Sequence, residues 1–138
     1  MKAYPVVLYV EDDPRSRRVM ELLLRNEMEL QHVTILDDST DFVLRVGALT
    51  PAPDVILLDI HVKPSSGFEM LDMLRGMPAF QGVPIVALTA SVMSEEVQKL
   101  REAGFHSVIA KPVDVDTFPD LLQRILSGEM VWRIVEQG

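Results

Sequence analysis

The sequence predicts an α/β domain in which helices cover a parallel sheet of five strands. Three observations carry this expectation. Short runs rich in Val, Ile and Leu alternate five times with segments of helical period. The runs are apolar throughout rather than alternating, as in strands buried on both faces. The length of 138 residues suits one domain with its own core.

The strand candidates are residues 6–10, 33–36, 55–58, 84–88 and 107–110. The first helix should start at Asp13-Pro14, an N-cap followed by a proline at the first helical position, with Val19, Leu22 and Leu23 on one face. The second, over residues 39–49, has the weakest pattern. Ser66-Gly67-Phe68-Glu69 has the spacing of a capping box and opens the third. Ser94-Glu95-Glu96 opens the fourth and places acids at the positive helix end. Phe118, Leu121, Leu122, Ile125 and Leu126 form the stripe of the fifth, which Gly128 ends. The domain is thus expected over residues 1–127, with a short apolar tail at 128–138. Trp132 and Ile134 of that tail are expected to dock beside the fifth helix, and a homodimer or partner contact is the competing expectation.

Composition narrows the function. Hydrophobic residues at 48% and charged residues at 25% are ordinary globular usage. The absence of cysteine excludes disulfides, thiolate metal sites and cysteine nucleophiles. A net charge of −8 opposes non-specific nucleic-acid binding and points instead to a protein partner or a cation. The apolar stretch near the N-terminus is far shorter than the roughly 20 residues of a membrane span. A cytoplasmic protein without membrane or nucleic-acid contact is therefore expected.

Ligands of open α/β sheets bind at the carboxyl ends of the strands, near the point where strand order reverses. There this chain places Glu11, Asp12 and Asp13 after strand one, Asp59 after strand three, Thr89 at the end of strand four and Lys111-Pro112 after strand five. If strands one and three are neighbours, carboxylates converge, and like charges at close range recruit a cation. Magnesium suits few carboxylates plus a substrate phosphate, with manganese as the alternative. A carboxylate can attack phosphorus to give an acyl phosphate. Asp59 fits the nucleophile, Lys111 a point charge on a phosphoryl oxygen, and Thr89 a hydrogen-bond donor to another.

These residues resemble the response-regulator receiver domains of two-component signalling. The resemblance covers about residues 5–127. It rests on Leu8-Tyr9-Val10-Glu11-Asp12-Asp13-Pro14, on Leu57-Leu58-Asp59 with Gly67 eight residues on, on Ala87-Leu88-Thr89-Ala90, and on Ala103-Gly104 followed by Lys111-Pro112. It implies a flavodoxin-like three-layer (βα)5 fold with strand order 2-1-3-4-5. It also implies Glu11 and Asp12 as the metal-side acidic pair, Asp59 as phosphoacceptor, the backbone carbonyl of His61 as a metal ligand, and Thr89 and Lys111 as sensors of the phosphoryl group. The implied role is a single-domain, chemotaxis-regulator-like protein. A sensor histidine kinase or phosphotransfer protein phosphorylates it, and it signals to a downstream protein target rather than acting as a conventional enzyme.

The chain departs from the family pattern at two places. Lys63 stands where a proline is usual, with Pro64 one position later, and Val108 stands where Tyr or Phe commonly acts as a rotor. Signalling is thus expected to run through the Thr89 loop and the fourth helix without an aromatic flip. By the same resemblance, His61 and Ser91 occupy positions that in this family flank the approach of water.

Other residues have plainer readings. Asp13 is expected to be only an N-cap, and Arg15, Arg17 and Arg18 a solvated helix face. His32 and His106 are expected to be exposed rather than ligands, and the eight methionines to be core or helix-face filler, with an adaptable partner surface at Met20 and Met73 as the alternative. An aspartate-nucleophile phosphatase of the haloacid dehalogenase type would need Asp where His61 stands, and a flavodoxin loop would not carry Glu11-Asp12-Asp13. A receiver fragment of a hybrid kinase or multidomain regulator, or a receiver serving as a binding module, is the surviving alternative.

Overall fold

The computed structural model describes residues 2–132. Five strands, β1 (Val7–Val10), β2 (Val33–Leu36), β3 (Val55–Asp59), β4 (Ile85–Thr89) and β5 (Ser107–Ala110), alternate with helices α1 (Pro14–Glu21), α2 (Phe42–Gly47), α3 (Gly67–Arg75), α4 (Ser94–Ala103) and α5 (Phe118–Leu126). All strand pairings are parallel and the order is β2-β1-β3-β4-β5. The expected sheet order is therefore the observed one, and β1 lies beside β3.

Every residue of β1, β3 and β4 is buried, because helices pack on both faces. One apolar layer joins Leu8, Ile56, Leu58, Ala87 and Val108 to Phe42, Met70, Leu74 and Leu100 of α2, α3 and α4. The other joins Val7, Tyr9, Leu57, Leu88 and Ile109 to Met20, Phe118, Leu122 and Ile125 of α1 and α5.

Local chemistry sets the helix starts. The Asp13 side chain accepts from the Ser16 N–H at 3.1 Å and from its hydroxyl at 2.7 Å, so Asp13 is an N-cap. Ser66 and Glu69 form the complete capping box. The buried face of the first helix differs from expectation: Met20, Leu23 and Leu24 are buried, whereas Val19 is 43% and Leu22 52% exposed. The run Val19-Met20-Glu21-Leu22-Leu23-Leu24 holds more apolar residues than one face can use, so periodicity alone does not choose the face. Past Glu21 the helix widens into a π-helical turn over Leu22–Glu27. Met20 is core in the layer under α1 and α5, and Met73 is partly buried against the opposite layer, so both act as filler.

The second helix is shorter than residues 39–49. Asp41, with φ of +50°, precedes it, and Ser39 is drawn into a loop contact instead. Gly128, with φ of +105°, turns the chain after α5, and Val131 and Trp132 then run along the outer edge of β5. Trp132 packs on the α4 side of the sheet, not beside α5 as expected, and Ile134 lies outside the described residues. No helix among the described residues is long and apolar enough to cross a membrane.

Candidate functional site at the carboxyl edge of the sheet

Because β1 and β3 are adjacent and in register, with Val10 opposite Leu58, the residues that follow them meet at one end of the sheet. Glu11, Asp12 and Asp59 each offer a carboxylate oxygen, and these oxygens lie within 4.8 Å of one another. Glu11 is fully buried and Asp59 only 4% exposed, while Asp12 faces solvent. A donor set of three carboxylates, partly buried and open on one side, fits a hard divalent cation. Asp13 belongs to the helix cap instead, and the Ser16 hydroxyl holds its carboxyl below the usual range.

Lys111 enters from the end of β5, with its Nζ 2.8 Å from Glu11 Oε1 and 3.4 Å from Asp59 Oδ1. The ammonium is the cation present among these acids. Burial works against its charge, but Glu11 and Asp59 outweigh it and raise its pKa. Burial also pushes the Glu11 carboxyl up, Asp59 adds to the rise, and Lys111 pulls the other way.

Thr89 closes β4 and is 4% exposed. Its Oγ1 accepts from the Ser91 N–H at 3.1 Å and lies 3.4 Å from the Ser91 carbonyl, so the hydroxyl is engaged by its own loop. Asp59 stands opposite Leu88, the residue before Thr89. His61 is exposed, and its N–H donates to Asp59 Oδ1 at 3.4 Å. The structure therefore brings Glu11, Asp12, Asp59 and Lys111 into one cluster, with Thr89 at the end of β4 and His61 in the loop after β3.

Several supporting residues escaped the sequence reading. The buried Tyr9 hydroxyl donates to Glu11 Oε1 at 3.0 Å, and burial followed by the Glu11 charge raises its pKa strongly. Arg17, expected on a solvated face, reaches back to donate to the Glu11 carbonyl at 2.9 Å. The Ser39 hydroxyl donates to the Ser65 carbonyl at 2.8 Å and accepts the Ser65 N–H at 2.7 Å, pinning the loop that follows Asp59. His32 and His106 are half-buried rather than exposed, and His106 Nδ1 is 2.9 Å from the Ser107 hydroxyl. Only Tyr9 carried a readable signal, a hydroxyl inside an otherwise aliphatic strand next to an acid.

Gly67 approaches this loop closely. A Cβ there would stand 2.9 Å from Ile60 Cα and 2.7 Å from Ile60 Cδ1, and the Gly67 N–H donates to the Ile60 carbonyl at 2.9 Å. Small size, not unusual backbone freedom, is what this position requires.

Comparison with known proteins agrees with this geometry. The response regulator receiver domain family matches residues 7–124. The chain is 30% identical over 122 residues to the signal transduction histidine-protein kinase BarA of Escherichia coli K12, covering 88% of this chain and 13% of BarA. It is 32% identical over 127 residues to a nitrate/nitrite response regulator protein homolog of Haemophilus influenzae, covering 91% of this chain and 58% of that protein. The chain thus spans a minor part of the first relative and little over half of the second. Among solved structures, the receiver domain of sensor histidine kinase PA1611 from Pseudomonas aeruginosa, with magnesium coordinated in its active-site cleft, aligns with a TM-score of 0.78 at 27% identity, over 90% of this chain and 98% of that one. The chain belongs to the response-regulator receiver domain family.

Proposed function

We propose that this domain accepts a phosphoryl group on Asp59 from a histidine kinase or phosphotransfer protein and signals through altered protein contacts. The observation that carries the reading is the junction at the strand ends of Glu11, Asp12 and Asp59, whose carboxylate oxygens lie within 4.8 Å of one another, with Lys111 paired to Glu11 and Asp59. In this reading an Asp59 carboxylate oxygen attacks phosphorus, a P–O or P–N bond of the donor breaks, and the leaving group departs with its electron pair. A magnesium or manganese ion held by Glu11, Asp12, Asp59 and the His61 carbonyl would neutralise the acids and the phosphoryl charge. The magnesium coordinated in the PA1611 receiver supports this assignment. Lys111 releases Asp59 to bind a phosphoryl oxygen, and Thr89 exchanges Ser91 for another. Catalysis is confined to the domain's own phosphorylation and dephosphorylation.

The match to one segment of BarA favours a second context, in which the same domain operates within a hybrid kinase. The chemistry at Asp59 is the same in both. Incubation with magnesium and acetyl phosphate tests it: the intact mass should rise by one phosphoryl group, and the rise should vanish with a chelator and in Asp59→Asn. An Asp59→Asn protein that gains the same mass would overturn the assignment.

A further inference from the structure

Beyond α5 the chain makes a second set of contacts with the sheet. Val131 and Trp132 run parallel to β5 along its outer edge. The Val108 N–H donates to the Val131 carbonyl at 2.8 Å, and the Val131 N–H donates to Ser107 Oγ at 2.9 Å. The first covers a backbone N–H that an edge strand otherwise leaves open, and the second ties the strap to a β5 side chain. Val131 is buried in the layer under α1 and α5, whereas Trp132 packs against the opposite layer, which contains Leu100, Phe105 and Val108. The Arg101 guanidinium lies 4.9 Å from the centroid of the Trp132 ring. This two-residue strap therefore grips β5 through the backbone and α4 through a side chain.

Those two elements lead directly to the groups assigned to the phosphoryl. Lys111 follows the last residue of β5, three positions from Val108. Thr89 is joined to the start of α4 at Ser94 by four residues. For Thr89 to turn its hydroxyl toward a phosphoryl oxygen it must leave Ser91, which holds it in this state. The strain falls on a weakly anchored helix start, since the N-cap Met93 makes no side-chain cap bond and is 68% exposed. Arg101 sits in the last turn of α4 and would move with that helix, while Trp132 is bridged to Val108 of β5.

We propose that the Val131–Trp132 strap is a coupled element, seated on α4 when Asp59 is free and released from Arg101 when Asp59 carries a phosphoryl group. The inference rests on the assignment of Asp59 as phosphoacceptor. The coupling runs both ways: whatever loosens the strap stabilises the phosphorylated form.

Trp132 is the sole tryptophan, so its fluorescence reads the strap alone. The full chain is incubated with magnesium and acetyl phosphate, and intact mass and acrylamide quenching are read on the same sample. Release predicts a quenching constant at least about twofold higher in the phosphorylated form. Arg101→Gln, on an exposed helix position, should raise quenching before phosphorylation. It should also raise the ratio of phosphorylated to free protein at a fixed, subsaturating donor concentration by about fivefold, the low end of ordinary allosteric coupling. Trp132→Ala should give the same gain without the fluorescent reporter. A full mass shift with unchanged quenching overturns the strap and leaves Asp59 standing, as does looser quenching in Arg101→Gln with an unaltered phosphorylated fraction. No mass shift at all defeats the Asp59 assignment and the strap with it.

Discussion

Gly67→Ala gives the sharpest test of how the loop after Asp59 is built. The added methyl would lie 2.9 Å from a backbone atom, Ile60 Cα, and 3.3 Å from the Asp59 carbonyl oxygen. Ordinary contact begins near 3.4 Å, so the 60–67 loop must retreat by about half an ångström or the α3 start must lift. The Ile60 side chain can rotate away, but its Cα cannot. Overpacking of this kind costs about 1–3 kcal/mol. With an unfolding entropy of about 2 cal/mol/K per residue, the chain should lose roughly 3–10 °C in Tm. Differential scanning calorimetry reads this directly, and urea melts give the same free energy at constant slope. Because the retreat begins at Asp59, the phosphorylation rate should fall as well. A Tm unchanged within about 1 °C would refute the argument, since it would mean that the loop and helix separate without cost.

Further outcomes follow from the charge cluster and from its exposed side. Lys111→Met leaves buried Glu11 and Asp59 without their ammonium and should destabilise the metal-free protein by about 3 kcal/mol. Saturating magnesium should recover more stability in this variant than in the parent, and equal gains in paired urea melts would contradict the shared-charge account. Protons compete with magnesium for Glu11, whose pKa is raised, so affinity should weaken as pH falls and should begin to do so above the usual glutamate range. The apo fold shows the opposite sign: the raised carboxyl binds its proton more tightly folded than unfolded, so its stabilising effect is lost as pH rises through the folded pKa. Calorimetric magnesium titrations at several pH values check the first, and a flat profile in the parent and Glu11→Gln alike would exclude Glu11 from the metal set. His61→Asn removes bulk from the exposed side of Asp59 and should shorten the acyl-phosphate lifetime by about threefold or more, a change near 0.7 kcal/mol in the barrier. An unchanged decay rate would remove His61 from the path of water.

The sequence disclosed most where a local signal sufficed. β2 and β5 begin and end where the apolar runs do, and the Ser66 capping box announced α3, because period and cap chemistry are short-range properties. Strand ends at β1, β3 and β4 differ by one residue. The convergence of Glu11 with Asp59 was also legible, since the order of parallel strands puts their carboxyl ends together. The face of α1 was not legible, because six successive residues offered two competing stripes and only packing against Tyr9 and Leu57 selects Met20, Leu23 and Leu24. Nor were Arg17, Ser39 and Trp132, whose partners lie 6, 26 and about 30 residues away and are fixed only by the assembled fold. Val108 marks the limit most clearly. The sequence reads it as a missing aromatic, whereas the folded chain sets the Trp132 ring from the tail in the same apolar layer.

In the proposed reading Asp59, and no other acid of the cluster, carries the phosphoryl group. Borohydride reduction of the acetyl phosphate-treated protein converts an acyl-phosphorylated aspartate to homoserine, and peptide mass spectrometry then names the position. Homoserine is expected at position 59 alone, dependent on magnesium and absent when the donor is omitted. Homoserine at Asp12 or Asp13, or none in a protein that has gained phosphoryl mass, would contradict it.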